Sequence, residues 1–494
     1  MAKDLPDQQV AARQERRRIV ELLAYEGFYT GVMVHIVTGV LLVKFALELG
    51  AGPFIIGLLA AIPFLAQFMQ IPAVLILALT QKKKTVVLAG AAIYRLALAV
   101  MVFIPLIHDK ALAIKILILT VLVRELGLGW MAGAWYSWVS ALVPERFANQ
   151  ARNNRLRLYT TGGTAAALAA GLALDGMDML NDNWLLPLFS LVFFFAFAAG
   201  MGSFMTLTEL PERLLPKQKP LDMVRDVTDP FKDINFRKLM VFMFALLFAV
   251  NLAVPFFPYY MLTSLKISAS YIIALWALTQ FMQVPFFRWW GWIGDRFNYV
   301  TALASSIPFF LLGLLLWPFV ALPTVHVLTG PLLIIIHMLM GIGLAGVTLA
   351  TQVIAMKMAP RKEATGYVTA LSLVAALASG LGALIGGAVA MLLVPYSLRV
   401  KLEWRETIDA ATNINEVIPY TVTGFEFLFL FSAVLIIVAS PLLRWVDVKG
   451  LKAPKGVVFK MMGDRAASMV RGSVAGPGVR GLVFAPMGML LRKK

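Results

Sequence analysis

The sequence has no cysteine among its 494 residues and only four histidines, which are scattered along the chain. The lack of cysteine excludes disulfides, thiolate metal sites and cysteine nucleophiles, and we expect neither a metal nor another cofactor. The chain also lacks the Gly-x-x-x-x-Gly-Lys-Ser/Thr loop that cradles phosphates, so nothing indicates ATP use. No stretch gathers a nucleophile with a general base or metal ligands, and we therefore do not expect an enzyme.

Charged side chains are few, at 14% of the chain, whereas hydrophobic residues make up 60% and the mean hydropathy is +0.81. A helix that spans a membrane needs about 20 mostly apolar residues. Apolar runs of that length recur along this chain between short charged turns. The sequence therefore predicts an all-α, polytopic membrane protein. Its first twenty residues are polar and arginine-rich, unlike a cleaved signal peptide, so we expect the first span to be retained.

The charges of the turns predict how the chain crosses the membrane. Basic side chains precede the first span at Arg16–Arg18 and follow the second at Lys82–Lys84. The turn after the fifth span is acidic instead, with Asp175 and Asp178. Because Lys and Arg are enriched in cytoplasmic loops, this alternation predicts twelve transmembrane helices with both termini in the cytoplasm. We expect multi-pass insertion in the cell (inner) membrane.

An internal repeat divides the chain into two similar halves. The segment FMQIP at 68–72 is nearly identical to FMQVP at 281–285, which lies 213 positions later. An offset of this size is too large for a solenoid and indicates two half-proteins in tandem. We predict five regions: a cytoplasmic N-terminal segment (1–21), a six-helix half (22–208), a cytoplasmic linker (209–238), a second six-helix half (239–446) and a basic cytoplasmic tail (447–494).

A charged turn after the eighth predicted span carries Gly291, Asp295 and Arg296. With twelve spans, two similar halves and a charged linker, this turn makes the chain resemble the major facilitator superfamily of secondary transporters. The signature of that family reads roughly Gly-x-x-x-Asp-Arg-x-Gly-Arg. This sequence departs from it at Asn298, which stands at the second glycine. The offset of 213 also places Lys82 and Lys83 where the first half would carry the aspartate and the arginine.

The resemblance implies a fold and a way of working. Two six-helix bundles rock about a central cavity, which spans 1, 4, 7 and 10 line, and expose it to each side of the membrane in turn. Gly291, Asp295 and Arg296 would latch one conformation, with the aspartate facing the start of span five. A carboxylate suits such a position because the N-terminal end of a helix is electropositive.

Polar side chains inside the spans are the candidate site. An ionisable group near the middle of a membrane costs about 2.5–3.5 kcal/mol on insertion scales, so it tends to face the protein interior. Lys44 and Glu48, four residues apart near the outer end of span one, are instead predicted to form a surface pair. The candidates for solute binding or proton coupling are Glu26, His35, Arg124, Glu125, Asn251, Gln280 and His337.

Helix geometry makes a further prediction about two of these charges. Arg124 and Glu125 are adjacent and about 100° apart around a helix, so we expect them to point in different directions and one of them to face Arg95. Two roles stay open for Glu125, a proton-coupling group or a permanent partner of an arginine that holds spans three and four together. Glu26 is either a coupling group or a contact to the inner headgroups.

We therefore expect a secondary active transporter that moves a small-molecule solute by alternating access, with a proton gradient as the favoured drive. Two alternatives stay open, a flippase for lipids or other amphiphiles and a non-transporting assembly or scaffold protein. The formal charge of the chain is +17, of which the tail at 447–494, with ten Lys or Arg and two Asp, supplies +8. That tail either contacts anionic lipid or is a flexible solubilising segment. Because topology explains the basic charge, we expect no nucleic-acid partner, and we expect a monomer.

Overall fold

The structure is a computed structural model that describes residues 4–212, 228–321, 325–360, 364–400 and 420–447. Half of the linker predicted at 209–238, and all of the tail predicted at 447–494 except Asp447, lie outside these residues. Apart from connecting turns and one short pair of antiparallel strands, the described chain is helical. Backbone groups in a membrane must find their hydrogen bonds within the chain, and long apolar helices meet that requirement.

Two consecutive sets of helices are called the N-terminal half and the C-terminal half. The N-terminal half contains α1 (Asp4–Val37), α2 (Gly39–Glu48), α3 (Pro53–Leu65), α4 (Gln70–Thr80), α5 (Lys83–Phe103), α6 (Lys110–Leu142), α7 (Glu145–Leu180) and α8 (Leu185–Glu209). The C-terminal half contains α9 (Ile234–Ala253), α10 (Phe256–Thr263), α11 (Ala269–Arg296), α12 (Tyr299–Leu316), α13 (Thr329–Met358), α14 (Ala364–Leu393) and α15 (Gly424–Ala439). Strands β1 (Ser397–Val400) and β2 (Tyr420–Thr423) pair antiparallel between α14 and α15.

Ten helical segments of the described chain are long and apolar enough to cross a membrane. Helices α6 and α7, with 33 and 36 residues, are longer still than most of these segments. The prediction of an all-α, multi-pass membrane protein is thereby confirmed. The number of twelve spans and the cytoplasmic position of both termini stay predictions.

The first span of each half is broken at a corresponding position. In the N-terminal half, α1 ends at Val37 and α2 begins at Gly39, whose φ is +58°. In the C-terminal half, α9 ends at Ala253 and α10 begins after Pro255. Glycine tolerates a positive φ and proline lacks a backbone N–H, so each can interrupt the helical hydrogen-bond pattern. The internal repeat is thus visible in the backbone as well as in the sequence.

Glycines bring helices into backbone contact within each half and between the halves. A Cβ atom on Gly31 would lie 2.1 Å from the carbonyl oxygen of Tyr159, so α1 packs closely on α7. In the C-terminal half, a Cβ atom on Gly382 would lie 2.4 Å from the carbonyl oxygen of Phe248, so α14 packs equally closely on α9. The halves themselves meet where Gly57 on α3 contacts α14. Small residues allow such close approach between membrane helices.

Candidate functional site

A cavity of about 470 Å³ lies between the two halves, a volume that suits a small organic molecule. The breaks in both first spans border it, through Thr38 and Gly39 in one half and Val254 and Pro255 in the other. The wall of the cavity is mostly apolar. Its polar side chains are His35, Thr38, Arg124, Tyr159 and Thr164 from the N-terminal half and Asn251, Trp276 and Gln280 from the C-terminal half.

The structure thus brings four of the seven predicted candidates to one cavity. His35 and Arg124 come from the N-terminal half, and Asn251 and Gln280 from the C-terminal half. The other three candidates, Glu26, Glu125 and His337, are buried but are not among the residues that line it. No cluster of three or more His, Asp or Glu side chains in the described part of the chain could hold a metal ion.

His35 reaches the cavity because α1 and α7 pack so closely. A Cβ atom on Gly163 would lie 2.2 Å from Nδ1 of His35, so only glycine leaves room for the imidazole. Nδ1 lies 2.9 Å from the carbonyl oxygen of Gly31, to which it donates, and the ring meets Tyr159 edge to face at a centroid distance of 5.2 Å. Sequence reasoning missed Tyr159. Its place one turn before Gly163 was the available signal, since residues four apart share a helix face.

The C-terminal half presents its polar groups from α9 and α11. Asn251 donates both amide hydrogens, to the carbonyl oxygen of Leu247 at 2.9 Å and to Oγ of Ser379 at 3.0 Å. Its carbonyl oxygen is left as an acceptor. On α11, Ile273, Trp276 and Gln280 line the cavity at helical spacing. The cavity therefore combines an apolar helix face with a small number of amide groups.

Arg124 and Glu125 form a buried ion pair at the cavity wall. Nε and Nη2 of Arg124 donate to Oε1 of Glu125 at 2.9 and 2.7 Å, and Nη1 donates to the carbonyl oxygen of Val37 at 2.8 Å. The prediction that the two side chains point in different directions is wrong. The 100° angle describes where the side chains leave the helix, and both are long enough to bend toward each other. The guanidinium carbon of Arg124 also lies 5.7 Å from the centre of the Tyr94 ring.

Glu26 belongs to a second buried ion pair, which joins α1 to α7. Its side chain is 1% exposed, and it accepts from Nε of Arg155 at 2.7 Å and from the Thr30 hydroxyl at 2.6 Å. The Thr30 hydroxyl in turn lies 2.9 Å from Oγ of Ser203 on α8. Glu26 is thus held inside the N-terminal half by an arginine.

Arg95 approaches the same network from α5. Its Nη2 donates to Oγ of Ser203 at 2.7 Å and its Nε to the carbonyl oxygen of Gly200 at 2.8 Å. The prediction that Arg124 or Glu125 faces Arg95 is therefore wrong. The α8 backbone lies close enough to α5 to satisfy this guanidinium instead.

His337 on α13 is fully buried in the C-terminal half. Its Nδ1 lies 2.8 Å from the carbonyl oxygen of Leu333, to which it donates. The ring centres of Trp276 and Trp317 lie 6.1 and 6.3 Å from that of His337, and Nε2 has no hydrogen-bond partner among the described residues. Trp276, unlike His337, also lines the cavity.

The predicted conformational motif lies at the C-terminal end of α11. Asp295 accepts a hydrogen bond from the Tyr299 hydroxyl at 2.9 Å, and the Arg296 guanidinium lies 5.5 Å from the Trp292 ring centre. A Cβ atom on Gly291 would meet only an ordinary contact at 3.7 Å, whereas one on Gly294 would lie 2.6 Å from the Tyr299 ring. In this conformation Asp295 is bound within its own half.

A charged contact joins the halves at the opposite end of α11. Asp175 on α7 accepts from the backbone N–H groups of Ala269 and Ser270 at 3.0 and 2.8 Å, and therefore caps the start of α11. Nζ of Lys44 on α2 lies 3.4 Å from the same carboxylate. We call Lys44, Asp175 and the start of α11 the latch. It uses the attraction between a carboxylate and a helix N-terminus that the resemblance implied for Asp295.

The prediction that Lys44 lies on the surface in a pair with Glu48 is wrong. Lys44 is only 5% exposed, and its ammonium group contacts Asp175 and also Asp178. The reason is that the end of α7 brings two carboxylates, 131 and 134 positions away in sequence, within reach of the Lys44 ammonium group. The acidic turn after span five was visible in the sequence, but nothing local indicated its partner.

Close contacts between the halves gather near the latch. Gly171 on α7 lies one turn before Asp175, and a Cβ atom there would lie 3.2 Å from Cα of Ser270. The contact between Gly57 and Gly387 occurs near the beginning of α3 and the end of α14, which is the same end of the molecule. Helix α11 has 28 residues, so about 42 Å separate the latch from the charged turn at Arg296.

Comparison with protein families and solved structures agrees with this architecture. A sequence model of the Major Facilitator Superfamily matches residues 27–387 and 239–491. None of the curated proteins that were compared matches the chain. Among solved structures, the nucleoside transporter NupG is similar with a TM-score of 0.62 and 13% identity, over 87% of this chain and 100% of that one.

Two other solved structures are similar to the same extent. A D-xylose-proton symporter matches with a TM-score of 0.62 and 11% identity, over 88% of this chain and 98% of that one. A bacterial homologue of the iron transporter ferroportin, in an inward-facing state, matches with a TM-score of 0.62 and 14% identity, over 87% of this chain and 98% of that one. At such identities the likeness establishes the fold, and it leaves the solute open.

Proposed function

The chain belongs to the major facilitator superfamily, and from this premise we propose that it is a secondary active transporter. It carries a small-molecule solute across the cell membrane by alternating access and draws on a proton gradient. The observation that carries this proposal is the cavity of about 470 Å³ whose wall is built by both halves. A solute held between two halves that rock against each other can be released to either side.

The contacts at the latch support a state that is closed toward the outside. With both termini in the cytoplasm, as the turn charges predict, the latch lies at the outer end and the charged turn at Arg296 at the inner end. Opening outward requires Asp175 to leave the start of α11, to which it is bound at 2.8–3.0 Å. As the inner ends of the two halves come together, Asp295 would release the Tyr299 hydroxyl and bind the N-terminal end of α7.

Glu125 is the proposed proton-coupling group, and Arg124 is the side chain through which it acts on the cavity. A proton on Glu125 removes the negative partner to which Nε and Nη2 of Arg124 both donate. The guanidinium would then be an uncompensated charge at the cavity wall, which is costly unless the structure rearranges or water enters. Protonation therefore favours one conformation over the other. The pair of Glu26 with Arg155 is the second candidate, because it joins two helices that must move together.

Proteoliposomes with an external pH indicator test this proposal. The wild type, Glu125→Gln and Glu426→Gln are compared against pooled sugars, organic acids, amino acids, drugs and lysolipids. Glu426 is the matched control because it is a buried carboxylate on α15 that accepts from Tyr260 and does not line the cavity. We expect solute-dependent proton movement in the wild type and the control variant, and its loss in Glu125→Gln.

Other outcomes would change the proposal in distinct ways. Uptake without proton movement, unaltered in Glu125→Gln, would make Arg124 and Glu125 a structural pair and the protein a uniporter or a carrier coupled to another ion. No uptake from any pool would contradict solute transport. The mostly apolar cavity wall makes a lipid or amphiphile flippase the second candidate, which translocation of a labelled lipid in the same vesicles would detect.

The scaffold alternative depends on the basic tail, whose residues 448–494 lie outside the described part of the chain. Deletion of residues 449–494 separates it from transport. We expect uptake to survive this deletion, since the cavity and the latch lie within residues 34–280. Loss of uptake with a normally inserted protein would indicate that the tail takes part.

A further inference from the structure

The positive charge at the cavity wall is balanced by a neighbouring negative charge. Among the lining residues that the structure describes, Arg124 alone carries a permanent charge. Its side chain is fully buried, and its donors are directed at Glu125 and at the Val37 carbonyl oxygen. Glu125, 4% exposed, supplies the opposite charge 2.7 Å away. A solute in this cavity therefore meets a neutral pair rather than a free cation.

The remaining polar groups of the wall are uncharged and come from both halves. With Nδ1 of His35 donating to Gly31, Nε2 of the neutral ring is an acceptor. With both amide hydrogens of Asn251 used, its carbonyl oxygen is a second acceptor. Tyr159 adds a hydroxyl and Gln280 a carboxamide from opposite halves. These groups can orient a solute through hydrogen bonds but cannot neutralise one.

The rest of the wall is apolar, with Leu42, Ile56, Leu59, Phe64, Val254 and Ile273 among its members. A charged solute would lose its hydration there without gaining a counter-charge, whereas an apolar surface gains from leaving water. We infer that the transported solute is uncharged, with a largely apolar body and a few hydrogen-bonding groups. This inference rests on the proposed transport function and specifies its solute class.

The absence of cysteine makes the cavity charge directly measurable. Thr164→Cys and Ala277→Cys each place a single thiol at the cavity, one in each half, and Ala111→Cys places one at an exposed position as the control. The purified full-length variants react with three methanethiosulfonates of similar size, one uncharged, one carrying a sulfonate and one carrying a trimethylammonium group. Each rate is divided by the rate of the same reagent at the control thiol.

We expect both charged reagents to react at least about 10-fold more slowly than the uncharged one at the cavity thiols, and within about 3-fold of each other. When Glu125→Gln is added to either cavity variant, the anionic reagent should gain about 10-fold over the cationic one, because Arg124 loses its partner. A 10-fold preference for either charged reagent without that change would overturn the inference. So would a lack of reaction at both cavity thiols while the control thiol reacts.

The labelling rates report the charge of the cavity whether or not the protein transports a solute. If labelling is as expected and no pool is taken up, the transport proposal fails while the neutral cavity stands. If the wild type carries a charged solute, the inference fails while the transport proposal stands. The two results are therefore distinguishable.

Discussion

The two halves share a helical plan but differ in how their interiors carry charge. The N-terminal half contains the interior ion pairs Glu26 with Arg155 and Arg124 with Glu125, each at 2.7 Å, and the pair of Lys44 with Asp175 at its end. At the position that the repeat relates to Arg124, the C-terminal half has His337, which bonds to its own helix. This half also buries a carboxylate, Glu426, which accepts from the hydroxyl of Tyr260.

The difference shows that the repeat preserves backbone shape more faithfully than chemistry. Both first spans break at corresponding points and both breaks border the cavity. In contrast, the positions of the buried pair Arg124 and Glu125 are not matched in kind, since the repeat relates Arg124 to the histidine His337. Properties that depend on buried charge should therefore be most sensitive to substitutions in the N-terminal half. Four predictions test this difference between the halves, from the largest expected effect to the smallest.

Removal of one partner of a buried ion pair should have the largest effect. Arg124→Met leaves Glu125 as an uncompensated buried charge, and we expect a loss of about 3–5 kcal/mol in the free energy of unfolding. His337→Met, at the related position, loses a hydrogen bond but strands no charge, and should cost about 1 kcal/mol. Unfolding in mixed micelles with increasing SDS measures both. Equal losses in the free energy of unfolding would show that stranding the Glu125 charge costs no more than losing the hydrogen bond of His337.

The latch is the place where a charge of the N-terminal half meets a helix end of the C-terminal half. Asp175→Asn should weaken the closed state by about 2 kcal/mol, because it removes a negative charge from the start of α11. Labelling of a cavity cysteine by an impermeant reagent added from the outside should therefore become faster. The matched control is Asp178→Asn, which contacts Lys44 but is not bound to α11. A control that opens the protein as much as Asp175→Asn would contradict the role of the helix end.

Unlike the loss of a buried charge, the loss of a glycine at a close helix contact should destabilise both halves equally. Gly163→Ala places a Cβ atom 2.6 Å from the Gly31 carbonyl oxygen, and Gly382→Ala places one 2.4 Å from that of Phe248, so each should cost about 1–3 kcal/mol. Gly163→Ala should in addition weaken solute binding, because the new methyl group displaces His35. Unfolding and the KM for uptake are measured for both variants. A KM change confined to Gly382→Ala would contradict the assignment of His35 to the site.

The smallest difference in stability between corresponding variants of the two halves is expected at the related turn positions Lys83 and Arg296. Lys83 is 2% exposed and donates from Nζ to the carbonyl oxygen of Ser137 at 2.7 Å, so Lys83→Met should cost about 1–1.5 kcal/mol. Arg296 is exposed above an aromatic ring, and Arg296→Met should cost about 0.5–1 kcal/mol. The same unfolding assay compares them, and a larger loss for Arg296→Met would reverse the predicted order.

Several features of the site followed from local sequence. His35, Arg124, Asn251 and Gln280 stand out because polar groups are rare in apolar spans, and all four border the cavity. The rule behind this selection is physical, since a polar side chain in a membrane span avoids the lipid and turns toward protein or a water-filled space.

Other features could not be read in this way. Angles around a helix locate Cβ atoms, so they did not show that the side chains of Arg124 and Glu125 meet. Sequence spacing suggested Glu48 as the partner of Lys44, but the carboxylate of Asp175 was brought to it from another helix. Tyr159 could not be selected from the sequence, because a tyrosine in a membrane span is equally suited to packing against apolar side chains and to lining a binding site.

Apolar length, turn charge and the repeat were sufficient to predict the helices and their many crossings, because each helix satisfies its own backbone within a continuous stretch of chain. The resemblance to the family needed, in addition, the motif with Gly291, Asp295 and Arg296. The cavity, the latch and the neutral pair at the cavity wall depended on tertiary packing. Each of them combines groups from helices far apart in sequence, and their distances are set by how closely small residues such as Gly31, Gly163 and Gly57 let those helices approach. Local propensity contains no information about such distances.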